Sequence, residues 1–282
     1  MKTIRYCLFD ILEGLRDVRA LFLVELVVVL LFDVLAYAKC VLSGLSPSLL
    51  SFGSFLATGW GGTLVFNPER QLSLILPAEW MLTIALMLYI PLRYPTRDLS
   101  VSGARFAMMA GSRLAWWLSK ALWVVICVLL YWVEFAIVSY VAALVVSGDV
   151  STVVSSDIAA MFGFDSIALL DLRGVGVEIG GFVSSAAAVS CALAVSQLAI
   201  SLVLKPVLSY MVHLSLLFTS VFFFTPYLPG NHLMAARGIE AIPNGLAPSE
   251  GYLFAFLIVA LFLIGGAMVA QRMDFLSKEY DS

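Results

Sequence analysis

Six ionisable side chains lie inside otherwise apolar stretches of the sequence, and chemistry would be expected there first. They are Glu25, Asp33, Lys39, Glu79, Glu134 and His213. An ionisable group inside a membrane-spanning helix is costly unless it is paired or hydrated, so such groups mark ion paths, substrate contacts or structural pairs. Each of the six therefore requires either a partner or a function.

Asp33 and Glu134 fall near the middle of their apolar stretches. Neither carboxyl group is expected to face lipid, because hydrocarbon cannot solvate it. The two groups would line a central cavity and contact a cationic substrate, or they would stay protonated against polar neighbours such as Ser139 and Tyr37. We predict Asp33, Glu134 and His213 as candidates for a translocation path, and a structural role is the alternative.

Three further charged residues have simpler interpretations. Lys39 and Glu79 lie at similar depth near the outer ends of two consecutive apolar stretches, which predicts an ion pair between them. Glu25 lies near the inner end of its stretch, and we expect its carboxylate to reach water there.

Sequence signatures of common catalytic and nucleotide-binding sites are absent. The chain contains no GxxxxGK(S/T), HExxH or GxSxG pattern. Its two histidines are too few for a multi-histidine metal site. Its four cysteines stand far apart, at Cys7, Cys40, Cys127 and Cys191. We therefore expect no enzymatic activity, no bound metal and no cofactor in this chain.

A long basic segment, residues 97–119, separates the second and third apolar stretches. Its apolar residues recur at helical spacing, and its arginines are expected to face the cytosol. Such a segment is either a docking surface for a cytosolic partner or only a positive anchor that fixes orientation. The docking candidates are Arg97, Asp98, Arg105, Arg113, Trp116 and Trp117. The two indoles are expected at the level of the lipid headgroups.

The composition indicates that this chain is embedded in a lipid bilayer. Hydrophobic residues make up 62% of the 282 residues and charged residues only 12%, against about half and about a quarter in soluble domains. The mean hydropathy is +1.01, and the apolar residues form long runs. A net charge of −3, without a basic face interleaved with aromatic residues, argues against a nucleic-acid partner.

The elements that must position these residues are predicted to be six transmembrane helices in a single all-α domain over residues 1–282. Each apolar run is long enough to cross about 30 Å of hydrocarbon at about 1.5 Å per residue. The spans are placed at about 20–42, 73–93, 120–146, 182–204, 206–226 and 252–271. Residues 1–19 contain an amphipathic helix that is expected to lie in the membrane interface.

The distribution of lysine and arginine predicts that both termini are cytoplasmic. The inner side then holds Lys2, Arg5, Arg16, Arg19, Arg93, Arg97, Arg105, Arg113, Lys120, Lys205, Arg272 and Lys278. The outer side keeps Lys39, Arg70, Arg173 and Arg237. The outer segments, 43–72, 147–181 and 227–251, are rich in Gly, Ser and Pro, and the first two could contain short helices.

This layout resembles the six-helix membrane subunits of ABC exporters of the ABC-2 permease type, including those of bacteriocin export and immunity systems. The resemblance covers the whole chain. It comprises the amphipathic N-terminal segment TIRYCLFDILEGLRDVR and the basic stretch GSRLAWWLSKALW that leads into the third span. A close pair of fourth and fifth helices and the charged tail QRMDFLSKEYDS complete it.

The resemblance implies a mechanical function in the cell membrane. Two permease chains, identical or similar, would enclose a path for an amphiphilic peptide, drug or lipid. Two cytosolic P-loop ATPase subunits, which carry the ATP and Mg²⁺, would dock at the N-terminal helix and at residues 97–119.

Two other interpretations stay open. An ion-coupled carrier would use Asp33 and Glu134 as its titrating pair, although no inverted repeat is visible in the sequence. A non-transporting immunity or scaffold subunit would need none of the charged residues inside the membrane.

Overall fold

The computed structural model describes residues 2–64, 76–110, 112–164 and 176–273, with side chains from residue 7 onward except at 98–110. The long helices are α1 (Lys2–Leu42), α3 (Ala78–Ala110), α4 (Arg113–Val146), α6 (Gly180–Ser201), α7 (Pro206–Phe222) and α8 (Pro248–Arg272). The short ones are α2 (Phe52–Trp60) and α5 (Ser156–Met161). Two-residue strands β1 (Val153–Val154) and β2 (Val177–Glu178) pair antiparallel. Short 3-10 turns occur at Pro47–Leu49, Pro229–Leu233 and Ala235–Arg237.

Four helices are long and apolar enough to cross a membrane. They lie at Cys7–Leu42, Arg113–Val146, Gly180–Ser201 and Pro248–Arg272, and they overlap four of the six predicted spans. Helix α7 is apolar but only 17 residues long. Helix α3 combines an apolar first half with two internal prolines, Pro91 and Pro95. The described residues therefore form an all-α membrane protein with four candidate membrane-spanning helices.

Helix α1 is continuous from Lys2 to Leu42, so the amphipathic N-terminal segment and the first predicted span form one helix. Asp10, Gly14 and Val18, one helical turn apart, are all buried. A Cβ atom on Gly14 would lie 2.7 Å from the Trp123 ring, so only glycine allows α1 to approach α4 this closely. Leu8 and Leu12 stay 57% and 62% exposed on the other side. The N-terminal segment thus packs along α3 and α4 by one narrow face.

Most of the basic segment 97–119 is helical. Helix α3 continues to Ala110, and α4 begins at Arg113 after its N-cap Ser112, whose Oγ accepts the Ala115 N–H at 3.1 Å. Gly103 lies within α3, and Gly111 lies outside the described residues. The segment consequently forms the corner at which α3 ends and α4 begins.

The two prolines of α3 leave a backbone acceptor for a side chain of α4. Pro95 has no N–H to donate to the carbonyl of Pro91 four residues earlier. The Trp123 indole takes this place and donates to Pro91 O at 3.2 Å. This contact joins α3 to α4 toward the end of the molecule where α1 begins. We call this end the inner end and the opposite end the outer end.

Helix α4 lies at the centre of the fold, where it packs against α1, α2, α3, α6 and α8. On its outer half, Trp132 stacks on Trp60 of α2 at 3.9 Å between ring centroids. Helix α2 begins with a capping box formed by Ser51 and Ser54 and is buried from Gly53 to Trp60. The first outer segment therefore does contain a short helix, and it is packed into the core.

Candidate functional site

A buried polar network centred on Asp10 joins the N-terminal parts of α1 and α4 to the middle of α3. Lys120 of α4 forms a salt bridge with Asp10 Oδ1 at 2.5 Å, and both side chains are fully buried. The hydroxyl of Tyr94 on α3 donates to the same oxygen at 2.5 Å, and Ser119 donates to Oδ2 at 2.7 Å. The Lys120 ammonium also lies 4.1 Å from the centre of the Tyr94 ring. Three helices thus meet at one charge pair.

A second, more exposed cluster lies about two helical turns further along α1. Asp17 forms a salt bridge with Arg93 at 3.5 Å and another with Arg97. The Asp17 side chain is 6% exposed, whereas those of Arg93 and Arg97 are 45% and 66% exposed. The two arginines therefore bind α1 with their near side and present charge to the solvent at this end of the molecule.

The inner end of α4 is also attached to α8. The Trp117 indole donates to Leu263 O at 3.0 Å, and Arg113 donates to Gln271 O at 2.6 Å in the last turn of α8. A cation at this position is favourable, because the carbonyl end of a helix carries partial negative charge. Helix α4 therefore connects α1 and α3 on one side with α8 on the other.

The predicted docking residues divide into three groups. Arg97 and Arg113 stand at the surface of the inner end and contact Asp17 and α8. Trp116 and Trp117 are fully buried, so their indoles contact neighbouring helices, and their placement at the depth of the lipid headgroups stays a prediction. Both indoles fill the space between packed helices. The side chains of Asp98 and Arg105 lie outside the described residues.

Glu25 and Asp33 of α1 are buried against α4. Glu25 is fully buried and has no hydrogen-bond partner, so the prediction that it reaches water is wrong. It lies close enough to Glu134 for the two carboxyl groups to repel each other. Asp33 lies instead beside Ser139, without a hydrogen bond of ordinary geometry. Because α1 and α4 run parallel, Asp33 meets a residue later in α4 than Glu134.

The structure brings Lys39 and Glu79 together. Lys39 Nζ lies 2.7 Å from Glu79 Oε1, and their side chains are 43% and 27% exposed. This salt bridge joins the outer end of α1 to the start of α3. A half-exposed pair of this kind contributes little to stability, about 1 kcal/mol or less.

His213 joins α6 to α7. Its Nε2 lies 2.9 Å from Ser196 Oγ, and its Nδ1 lies 2.9 Å from the carbonyl oxygen of Ser209. A neutral imidazole that donates from Nδ1 and accepts at Nε2 satisfies both contacts. Neither of these bonds involves Asp33 or Glu134, so the structure divides the three predicted path residues between two helix pairs.

The sequence interpretation missed Arg237, which it placed among the ordinary outer cations. The side chain is fully buried. Its guanidinium donates to the carbonyl oxygens of Thr63, Leu64, Ser220 and Val221 and to the side-chain oxygen of Asn231. Burial lowers its pKa to about 10. A lone arginine within the apolar run LMAARGI was the available signal.

Arg237 thereby fixes the outer end of the molecule. Its acceptors belong to the last turn of α7, to the chain after α2 and to the turn at Pro229–Leu233. The negative end of the α7 dipole supplies part of the stabilisation that a carboxylate would otherwise provide. Trp80 adds a further link, since its indole donates to Leu233 O at 2.7 Å.

Within the described residues, no group of three His, Cys, Asp or Glu side chains is arranged to hold a metal ion. The polar clusters of this part of the chain instead join helices at the inner end, along the α1–α4 interface and at the outer end. Comparison with models of known protein families, with curated proteins and with solved structures found no match.

Proposed function

We propose that this chain is the membrane subunit of an ATP-driven exporter in the cell membrane, of the ABC-2 permease type. The observation that carries the proposal is the buried Asp10–Lys120 network. It makes the N-terminal parts of α1 and α4 and the middle of α3 a single unit toward the end of the molecule where a cytosolic ATPase would bind. A subunit without its own catalytic site needs such a unit to receive force from a partner.

The energetics of the network suit the transmission of force. Removing one partner of a buried ion pair costs about 3–5 kcal/mol, because the other charge is left buried and uncompensated. Lys120, Tyr94 and Ser119 all bond the same carboxylate. A push on the α3–α4 corner therefore moves α1 with it, since separating the helices would break all three contacts.

The proposed topology has six spans, namely α1, α3, α4, α6, α7 and α8, with both termini in the cytoplasm. The position of α3 supports its inclusion. Its first turn pairs through Glu79 with the outer end of α1, and its Tyr94 bonds Asp10 near the inner end. Helix α3 therefore runs antiparallel to α1 over the height of the membrane. The excess of lysine and arginine at the Tyr94 end favours this end as the cytoplasmic one.

The surface of this end offers positive charge to a partner. The side chains of Arg16, Arg93 and Arg97 are 79%, 45% and 66% exposed. An ATPase surface with acidic side chains would complement them, and such complementarity guides association. A second permease chain, identical or similar, would complete the translocation path.

Transport into inside-out vesicles that contain the chain and its ATPase tests this function. We expect accumulation of a fluorescent amphiphile that requires hydrolysable ATP. Arg16→Glu reverses a highly exposed charge and should lower ATP-dependent transport, whereas the matched neutral variant Arg16→Gln should have a smaller effect. ATP-independent accumulation that follows a proton or sodium gradient would contradict the proposal.

A second candidate, an ion-coupled carrier, is favoured by one observation. Glu25 and Asp33 are buried in the α1–α4 interface without hydrogen-bond partners, and Glu134 lies near Glu25. Acids in this setting are suited to exchanging protons or cations. Gradient-driven uptake that is lost in both Asp33→Asn and Glu134→Gln would favour this function over the first.

A further inference from the structure

A groove between the outer halves of α1 and α4 opens toward the side of the molecule that faces lipid. Its volume is about 530 Å³. Leu30 and Val34 of α1 form one wall, and Ile137, Val141 and Val145 of α4 form the other. These five side chains are between 48% and 80% exposed. The groove has the size of sites that hold drug-sized ligands, which are mostly apolar and contain a few polar groups.

Asp33 lies at the floor of this groove and is the only acid that lines it. The residue is 6% exposed, and neither carboxylate oxygen has a hydrogen-bond partner. Both oxygens are buried, and the carboxyl group lies next to Ser139. An unpaired carboxylate at this depth is costly, and the described residues around the groove supply no cation to compensate it.

We propose that this groove binds an amphiphilic amine, a ligand with one ammonium group and an apolar chain. The chain would lie between the aliphatic walls, where it replaces lipid. The ammonium group would pair with Asp33 after a rotation of the carboxylate toward the groove. The ion pair neutralises the acid within a medium of low polarity, so Asp33 selects the cationic ligand over a neutral one of the same shape.

This inference deepens the proposed function, because it names the substrate class, and it rests on that function only for the export of the bound amine. Binding itself requires no ATPase. An experiment on the chain alone in nanodiscs therefore distinguishes failure of the groove assignment from failure of the export function.

The test uses dodecylamine that carries a photoreactive diazirine on its chain, with diazirine-labelled dodecanol as the neutral counterpart. We expect saturable labelling of peptides that contain residues 30–37 and 137–146, and competition by unlabelled dodecylamine but not by dodecanol. Asp33→Asn should reduce the saturable labelling at least about tenfold, the loss expected for a hydrogen bond to a charged group. The control Asp157→Asn removes an exposed acid outside the groove and should leave labelling unchanged.

A second variant covers the event that Asp33→Asn does not fold. Val141 is 51% exposed on the groove wall, so Val141→Trp fills the groove from a lipid-facing position and should also abolish saturable labelling. Equal labelling of wild type and Asp33→Asn, or equal competition by dodecanol, would overturn the proposal. Disulfide formation between two Val141→Cys chains without any saturable labelling would also overturn the proposal, because a second copy of the chain would then occupy the groove.

Discussion

At the scale of single residues, the molecule is organised by buried polar groups whose partners come from distant parts of the sequence. The Lys39–Glu79 pair could be anticipated, because both residues stand at the outer ends of consecutive apolar runs. The Asp10–Lys120 pair could not. Lys120 was assigned to the cytoplasmic surface by its charge alone, and its partner is 110 residues away. The depth of a residue in the membrane can be predicted from the pattern of apolar runs. Which face of its helix packs against another helix cannot be predicted in this way.

Lys120→Met should destabilise the protein by about 3–5 kcal/mol, because it leaves the Asp10 carboxylate buried without its cation. The measurement is thermal unfolding in detergent, followed by tryptophan fluorescence. Lys39→Met is the matched control and should cost about 1 kcal/mol or less, since its salt bridge is partly exposed. Equal melting temperatures for the two variants would show that the inner network does not stabilise the helix junction.

His232 should make stability depend on pH near the outer surface. Burial lowers the pKa of His232 below its ordinary value of 6.5, and its Nε2 donates to Pro226 O at 2.8 Å. As the pH falls below about 6.5, the unfolded chain therefore binds more protons at this residue than the folded chain does. The free energy of unfolding should be highest at neutral pH and should decline under mildly acidic conditions. His232→Gln keeps an N–H donor and should flatten this decline; an unchanged pH profile of unfolding would contradict the assignment.

At the scale of elements, the apolar runs predicted where four helices cross, but not how they begin, bend or meet. The amphipathic N-terminal segment continues into the first predicted span as one helix, in which Asp10, Gly14 and Val18 form a single packing face. The helical spacing within the basic segment 97–119 indicated a helix there, but not that the segment forms the end of α3 and the start of α4. The close contact of α4 with α8 at Gly266 left no periodic signal in the sequence.

Gly266 provides a test of the α4–α8 contact. A Cβ atom there would lie 2.2 Å from the Trp117 ring, whereas a Cβ atom on the neighbouring Gly265 would have open space. Glycine to alanine normally stabilises a helix by about 1 kcal/mol. Gly265→Ala should therefore be neutral or stabilising in thermal unfolding. Gly266→Ala should cost about 1–3 kcal/mol through overpacking, and a stabilising effect of this variant would show that the contact is looser than described.

At the scale of the whole molecule, two polar clusters at opposite ends hold one helical body. The Asp10 network joins α1, α3 and α4 at the inner end, and Arg237 joins α7 to two outer segments. Composition alone was sufficient to predict a polytopic all-α membrane protein. The number of spans depends on α3 and α7, whose sequences are interrupted by proline or are short. Their contacts, rather than their hydropathy, support the proposal of six spans.

Cysteine accessibility tests this topology. In a chain whose native cysteines are replaced, a membrane-impermeant maleimide should label Ser48→Cys and Tyr227→Cys from outside intact cells. Lys205→Cys, in the short connection between α6 and α7, should react only after permeabilisation. Labelling of Lys205→Cys in intact cells would mean that α7 does not cross in the proposed direction.

The most direct test of the central claim is ATP hydrolysis by the chain purified from its native membrane in a mild detergent. We expect a P-loop ATPase to co-purify with the chain in fixed ratio and ATP hydrolysis to elute with the chain. Arg16→Glu should lower both the amount of co-purified ATPase and the rate of ATP hydrolysis. Recovery of the chain alone, without an attached cytosolic protein and without ATP hydrolysis, would contradict a subunit that takes its energy from a partner.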